Sequence, residues 1–105
     1  MSITTLHEDN FEQEVLRADR PVCIDFWAPW CGPCRMLSPV IDELAEEETA
    51  VKFCKINVDE EPGLAAQFGV NTIPPLLFCK DGALTCRTVG FRPKAELKKL
   101  IDEIQ

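Results

Sequence analysis

The chain has 105 residues, enough for one domain with a real core, and its 46% apolar and 28% charged composition is that of a globular rather than a disordered protein. A formal charge of −7 argues against a nucleic-acid partner, because phosphate binding needs a basic surface. The start, Met1-Ser2-Ile3-Thr4-Thr5-Leu6, lacks the basic end and apolar run of a signal peptide, and no stretch is long enough to span a bilayer. The expected setting is therefore the cytoplasm, with no membrane partner.

Ile3–Leu6 reads as a first strand, and Asp9 or Asn10 as the cap of a helix carrying Phe11, Val15 and Leu16 on one face. Arg20-Pro21 breaks it. Val22–Ala28 is then a nearly continuous apolar run, the mark of a strand covered on both faces. After Trp30-Cys31-Gly32-Pro33-Cys34, the residues Leu37, Val40, Ile41 and Leu44 recur at helical spacing, with Pro39 inside the pattern and expected to bend the helix. The acidic residues Asp42, Glu43, Glu46, Glu47 and Glu48, and the run Asp59-Glu60-Glu61, read as solvated surface.

Val51–Val58 reads as a third strand, with Cys54, Ile56 and Val58 on one face and Phe53, Lys55 and Asn57 on the other. Pro62 opens a short helix closed by Gly69. Ile73–Cys79 is the fourth strand, turned by Asp81-Gly82 into a fifth from Leu84 to Gly90. Pro93 starts a last helix with Leu97, Leu100, Ile101 and Ile104 in one stripe. The order β-α-β-α-β-α-β-β-α implies an α/β fold: a central mixed five-stranded sheet flanked by four helices, with residues 1–105 as a single domain.

Six cysteines in so short a chain raise the possibility of a secreted disulfide framework, but the spacing opposes it. Cys23, Cys54, Cys79 and Cys86 sit singly in apolar segments, as buried free thiols do. With a two-residue hairpin turn, Cys79 and Cys86 share a face diagonally, a poor geometry for a bridge. Cys31 and Cys34 alone form a close pair. Thiol–disulfide exchange needs an attacking thiolate and a second thiol that resolves the mixed disulfide. At a helix start the first sulfur meets the positive end of the dipole and unpaired N–H groups, so Cys31 is the expected nucleophile and Cys34 the resolving thiol. Pro33 suits a first helical turn, and Gly32 lets a partner backbone come close. Half of a zinc site is another reading of the pair, although His7 is the only histidine and no second Cys-x-x-Cys exists. A static disulfide is a third.

Asp25-Phe26-Trp27-Ala28, Trp30-Cys31-Gly32-Pro33-Cys34, Asn57-Val58-Asp59 and Ile73-Pro74 resemble, in order and spacing, the motifs of the thioredoxin family, over essentially the whole chain. The resemblance implies the thioredoxin fold and a protein-disulfide reductase recharged by a flavin-containing thioredoxin reductase. It implies no bound cofactor or metal, the redox group being the Cys31–Cys34 pair itself. Client proteins with reducible disulfides are the implied partners, and the chain is expected to act as a monomer. By the same resemblance Pro74 is a cis-proline beside the sulfurs, and Ile73 offers its backbone to an extended client. Trp30 and Gly90 belong to the client-docking surface, with Trp27 as support. Asp25, a costly carboxylate in an apolar strand, handles the proton of Cys34, and Lys55 modulates it.

The chain departs from the family pattern at Pro75, where threonine is usual, and at Phe91, larger than the residue often found after the glycine. Pro75 removes a backbone donor, and is expected to stiffen the substrate edge without abolishing activity. Phe91 would either enlarge the docking patch or pack on the last helix. A competing function is that of a binding or assembly subunit for which redox turnover is dispensable.

Overall fold

The computed structural model describes residues 3–105; Met1 and Ser2, the first residues of the segment read for a leader, lie outside them. Strands β1 (Ile3–Thr5), β2 (Val22–Trp27), β3 (Lys52–Asn57), β4 (Leu76–Lys80) and β5 (Ala83–Arg87) form one sheet in the order β1-β3-β2-β4-β5. β1, β3 and β2 are parallel, whereas β4 runs antiparallel to β2 and β5 antiparallel to β4. A short π-helix (Glu12–Leu16), α1 (Gly32–Glu47), α2 (Pro62–Gln67) and α3 (Lys94–Ile104) complete the fold. This is the mixed sheet with four helices that the element order implied.

Each face of the sheet carries its own core. On one, Ile24, Phe26, Cys54, Ile56 and Leu77 pack with Phe11, Val15 and Leu64 from the π-helix region and α2. On the other, Cys23, Phe53, Leu76 and Phe78 pack under Leu37, Ile41 and Leu44 of α1 and Leu97 and Ile101 of α3. β2 lies at the centre with both faces covered, which is why its sequence is almost unbroken in apolar residues. Asp25 is the exception, and strand alternation turns it toward α1.

α1 runs through Pro39 as one 16-residue helix. Its acidic outer face is bridged to α3, because Lys94 pairs with Glu43 and Glu47 and Lys98 with Glu48. The four other cysteines are free thiols.

Four local expectations are corrected. The first helix is a single π-helical stretch in which Val15 is buried while Leu16 is 47% exposed, so Leu16 does not share the buried face. Neither Asp9 nor Asn10 caps it; the Asn10 side chain accepts from the His7 N–H at 2.7 Å and donates to the Thr5 carbonyl at 3.1 Å, bracing the turn instead.

The fourth strand begins at Leu76 rather than Ile73, because Pro74 and Pro75 have no N–H to give to a ladder; the Ile73–Pro74 bond is cis. In the hairpin, Asp81 and Gly82 take the two positive φ angles of a tight turn (53° and 79°), as expected, but a bulge then shifts the register. Cys79 faces Leu84 and Phe78 faces Cys86, leaving Thr85 as the extra residue, its hydroxyl donating to the Phe78 carbonyl at 2.9 Å. Cys86 therefore packs on the α1/α3 core and Cys79 on the opposite one, so the two do not share a face.

Candidate functional site

The loop after β2 delivers Cys31 to the N-cap of α1. Cys31 has extended backbone geometry (φ −91°, ψ 112°), and its N–H donates to the Ala28 carbonyl at 3.1 Å, which closes the turn. Gly32 and Pro33 open the helix, where the missing proline donor costs nothing. Cys34 lies on the first helical turn. Its backbone N–H donates to Cys31 Sγ at 3.2 Å, so the first sulfur does the work of a capping side chain. No acidic residue sits in the first turn of α1, and the positive end of its dipole is unopposed there.

The two sulfurs are joined in a disulfide, with the Cα atoms 5.3 Å apart. Both residues are buried, and with Ala28 they form a small apolar cluster against which Trp27, Val58 and Ile73 pack. Among the described residues no group of three or more His, Cys, Asp or Glu side chains is arranged to hold a metal.

Behind Cys34 stands Asp25, only 5% exposed, with its Oδ1 lacking any hydrogen-bond partner. Burial pushes its carboxyl up to about 7; the charge of Lys55 pulls the other way without cancelling it, and Asp42 adds a smaller push upward. Lys55 is the direct register partner of Asp25 across β2 and β3, and its Nζ also lies 5.8 Å from the centre of the Trp27 ring. These three side chains and Cys34 line one cavity beneath α1.

The outer rim is apolar. Trp30 is 66% exposed, and its indole N–H donates to the Asp59 carboxylate at 3.1 and 3.2 Å, which holds the ring at the edge of the site. Ile73 packs against the cysteine cluster from the segment with the cis bond to Pro74. Val89 and Phe91, 59% and 39% exposed, flank Gly90, whose φ of 76° suits glycine. That loop is tied to the end of the proline segment by a reciprocal pair: Leu76 N–H donates to Thr88 Oγ1 at 3.2 Å, and Thr88 N–H to the Leu76 carbonyl at 2.9 Å. Pro75 itself loses nothing, because its carbonyl still accepts from the Phe26 N–H at 3.4 Å and the strand begins one residue later. Phe91 is partly open to solvent.

Asp25, Lys55, Cys31 and Cys34 thus come together, with Trp30, Gly32 and Pro33 beside them and Ile73 packed against the pair. Sequence reasoning passed over Thr88 and the anchoring role of Asp59. A threonine in a hairpin carries no signal of its own, whereas Asp59 reads as solvated surface from its acidic run, and its place in Asn57-Val58-Asp59 is the signal that points to more.

The chain matches the family model described as Thioredoxin over residues 2–103. It is 47% identical over 105 residues to "Thioredoxin 1" of Synechococcus elongatus, with 98% of both chains covered. It is 45% identical over 104 residues to "Thioredoxin" of Porphyra purpurea, covering 98% of this chain and 97% of that one. With "Thioredoxin" of Haemophilus influenzae it shares 46% identity over 99 residues, covering 93% and 92%. Fold, cysteine pair and relatives agree: the chain belongs to the thioredoxin family, and is a thiol–disulfide oxidoreductase of the protein-disulfide-reductase kind.

Proposed function

We propose that the reduced protein transfers two electrons to client disulfides with Cys31 as nucleophile and Cys34 as resolving thiol. The observation that carries the assignment is the Cys34 N–H donated to Cys31 Sγ at the start of α1, because the same donor and helix dipole stabilise a thiolate on that sulfur. The Cys31 thiolate attacks one client sulfur, forming a mixed disulfide and releasing the other client sulfur as a thiolate. The Cys34 thiol then loses its proton to the Asp25 carboxylate, and its thiolate attacks Cys31 Sγ. The Cys31–Cys34 bond forms, the second client sulfur leaves and takes up a proton, and the client has gained the two electrons the protein has lost.

Lys55, opposite Asp25, keeps the carboxylate from being still more costly and so modulates the transfer. Trp30, Gly32, Pro33, Ile73, Pro74 and Gly90 form the docking surface, on which a client backbone lies extended along the Ile73–Pro74 edge. A thioredoxin reductase restores the dithiol, and the chain acts as one domain, as a monomer, in the cytoplasm. No helix among the described residues is long and apolar enough to cross a membrane.

The test is a pair of variants. Cys34→Ser should accumulate clients disulfide-bonded to Cys31, released by a small-molecule reductant, and Cys31→Ser should trap none. Insulin reduction should vanish in both. Full client function in the doubly substituted protein would instead support the binding or assembly role.

A further inference from the structure

A cavity of about 310 Å³ lies between α1 and the β2–β3 ladder, lined among others by Asp25, Trp27, Cys34, Arg35, Ser38 and Lys55. Arg35 and Ser38 are exposed, so it opens to solvent on their side. Two buried polar atoms of its lining residues have no protein partner: Asp25 Oδ1 and Trp27 Nε1. The two are complementary. An indole N–H can only donate, and a carboxylate oxygen accepts. Both residues belong to β2 and stand two apart, so their side chains emerge on the same face of the sheet.

We propose that Trp27 is a positioning residue for proton transfer at Cys34, its indole N–H holding the water that links Asp25 to the resolving thiol. A water that accepts from Trp27 Nε1 keeps a second lone pair to accept from the Cys34 S–H and a hydrogen to donate to Asp25 Oδ1, so it can take the thiol proton as it hands one to the carboxylate, and the cavity has room for it. The same indole presents its ring to Lys55 Nζ at 5.8 Å. One side chain therefore orders both influences on the carboxylate, the cation with its face and the water with its edge. Packing alone explains neither the unpartnered N–H nor its place on a polar cavity. The groups facing Asp25 are Lys55 on β3, Arg35, Asp42 and Cys34 on α1, and Cys23 on its own strand.

The inference rests on the reading of Asp25 as the proton acceptor, and the experiment separates the two. A chromogenic aromatic disulfide, mixed with the reduced protein, releases one coloured thiol when Cys31 attacks and a second when Cys34 resolves. The second phase is followed from about pH 5 to about pH 9. Asp25→Asn should abolish its pH step. Trp27→Phe keeps a ring and deletes the donor; it should raise the midpoint by up to roughly one pH unit, with the first phase unchanged. A midpoint unmoved in Trp27→Phe, with the step lost in Asp25→Asn, overturns the role of Trp27; a step that survives Asp25→Asn overturns the reading beneath it. Should Trp27→Phe not fold, the wild-type indole N–H resonance is decisive. It should titrate with Asp25 and show a cross-peak to bound water, and a resonance that ignores pH overturns the proposal.

Discussion

Asp25 and Lys55 face each other in the parallel β2–β3 ladder, yet Lys55 acts on the carboxylate only as a nearby charge, and Asp25 Oδ1 stays without a hydrogen-bond partner. A carboxyl so placed costs the fold something whenever it is ionised. A group that gains and loses a proton near neutral pH suits the proton transfer proposed at Cys34.

The cost has a definite pH dependence. Burial raises the Asp25 carboxyl from 3.8 to about 7, so below about pH 4 it is protonated both folded and unfolded and imposes no penalty. As the pH rises toward 7 the unfolded chain gives up the proton more readily, and stability falls until the folded group ionises as well. Asp25→Asn should therefore stabilise the oxidised protein by on the order of 4 kcal/mol at about pH 8 and hardly at all at about pH 3. Urea unfolding at the two pH values measures this; an equal effect at both would contradict it.

Thiol counting tests the cysteine assignment. The unfolded oxidised protein should take up four alkyl groups and the reduced protein six, read by intact mass. In the native state Cys86, half-buried, should be alkylated well before the others. Burial raises all four thiols, pushing Cys54 up to about 12 and Cys23 well above its ordinary value, so the core cysteines should need unfolding to react.

Thr88 is buried, and its hydroxyl is the acceptor for the Leu76 N–H at the start of β4. Thr88→Val keeps the shape and strands that donor, and should cost about 1–3 kcal/mol. Thr88→Ser, which keeps the acceptor, should recover most of it, as chemical denaturation of the two variants would reveal.

Pro75→Thr should lower stability by roughly 0.5–1 kcal/mol, because the proline narrows the unfolded chain at a site where no N–H is needed. Client turnover should be retained, with a looser substrate edge registered as a higher KM. If stability and turnover are both unchanged, the stiffening role of Pro75 is wrong.

The element order was legible because its signals are strong. β2 reads as a run of apolar residues broken only by Asp25, and α3 as a clean stripe of Leu97, Leu100, Ile101 and Ile104. The cysteine pair was legible for the same reason: Cys-Gly-Pro-Cys puts two thiols and residues fit for a helix start within four positions. The misread segments were those where one extra residue or one proline changes the geometry. The bulge at Thr85 moved Cys86 to the other face of the sheet, and no residue there announces it. The end of the first helix misled because helical spacing says which residues align, while the π-helical winding left Leu16 outside.

The Trp30-Cys31-Gly32-Pro33-Cys34 motif by itself left metal and static-disulfide readings open, and the sequence pointed to thiol–disulfide exchange through that motif together with the order and spacing of Asp25-Phe26-Trp27-Ala28, Asn57-Val58-Asp59 and Ile73-Pro74. The surroundings of that chemistry belonged to the tertiary structure. Asp25, Trp27 and Lys55 reach one cavity behind Cys34 only because β2 and β3 pair in register beneath α1. Burial and unpartnered polar atoms are properties of the packed sheet, and no single segment carries them.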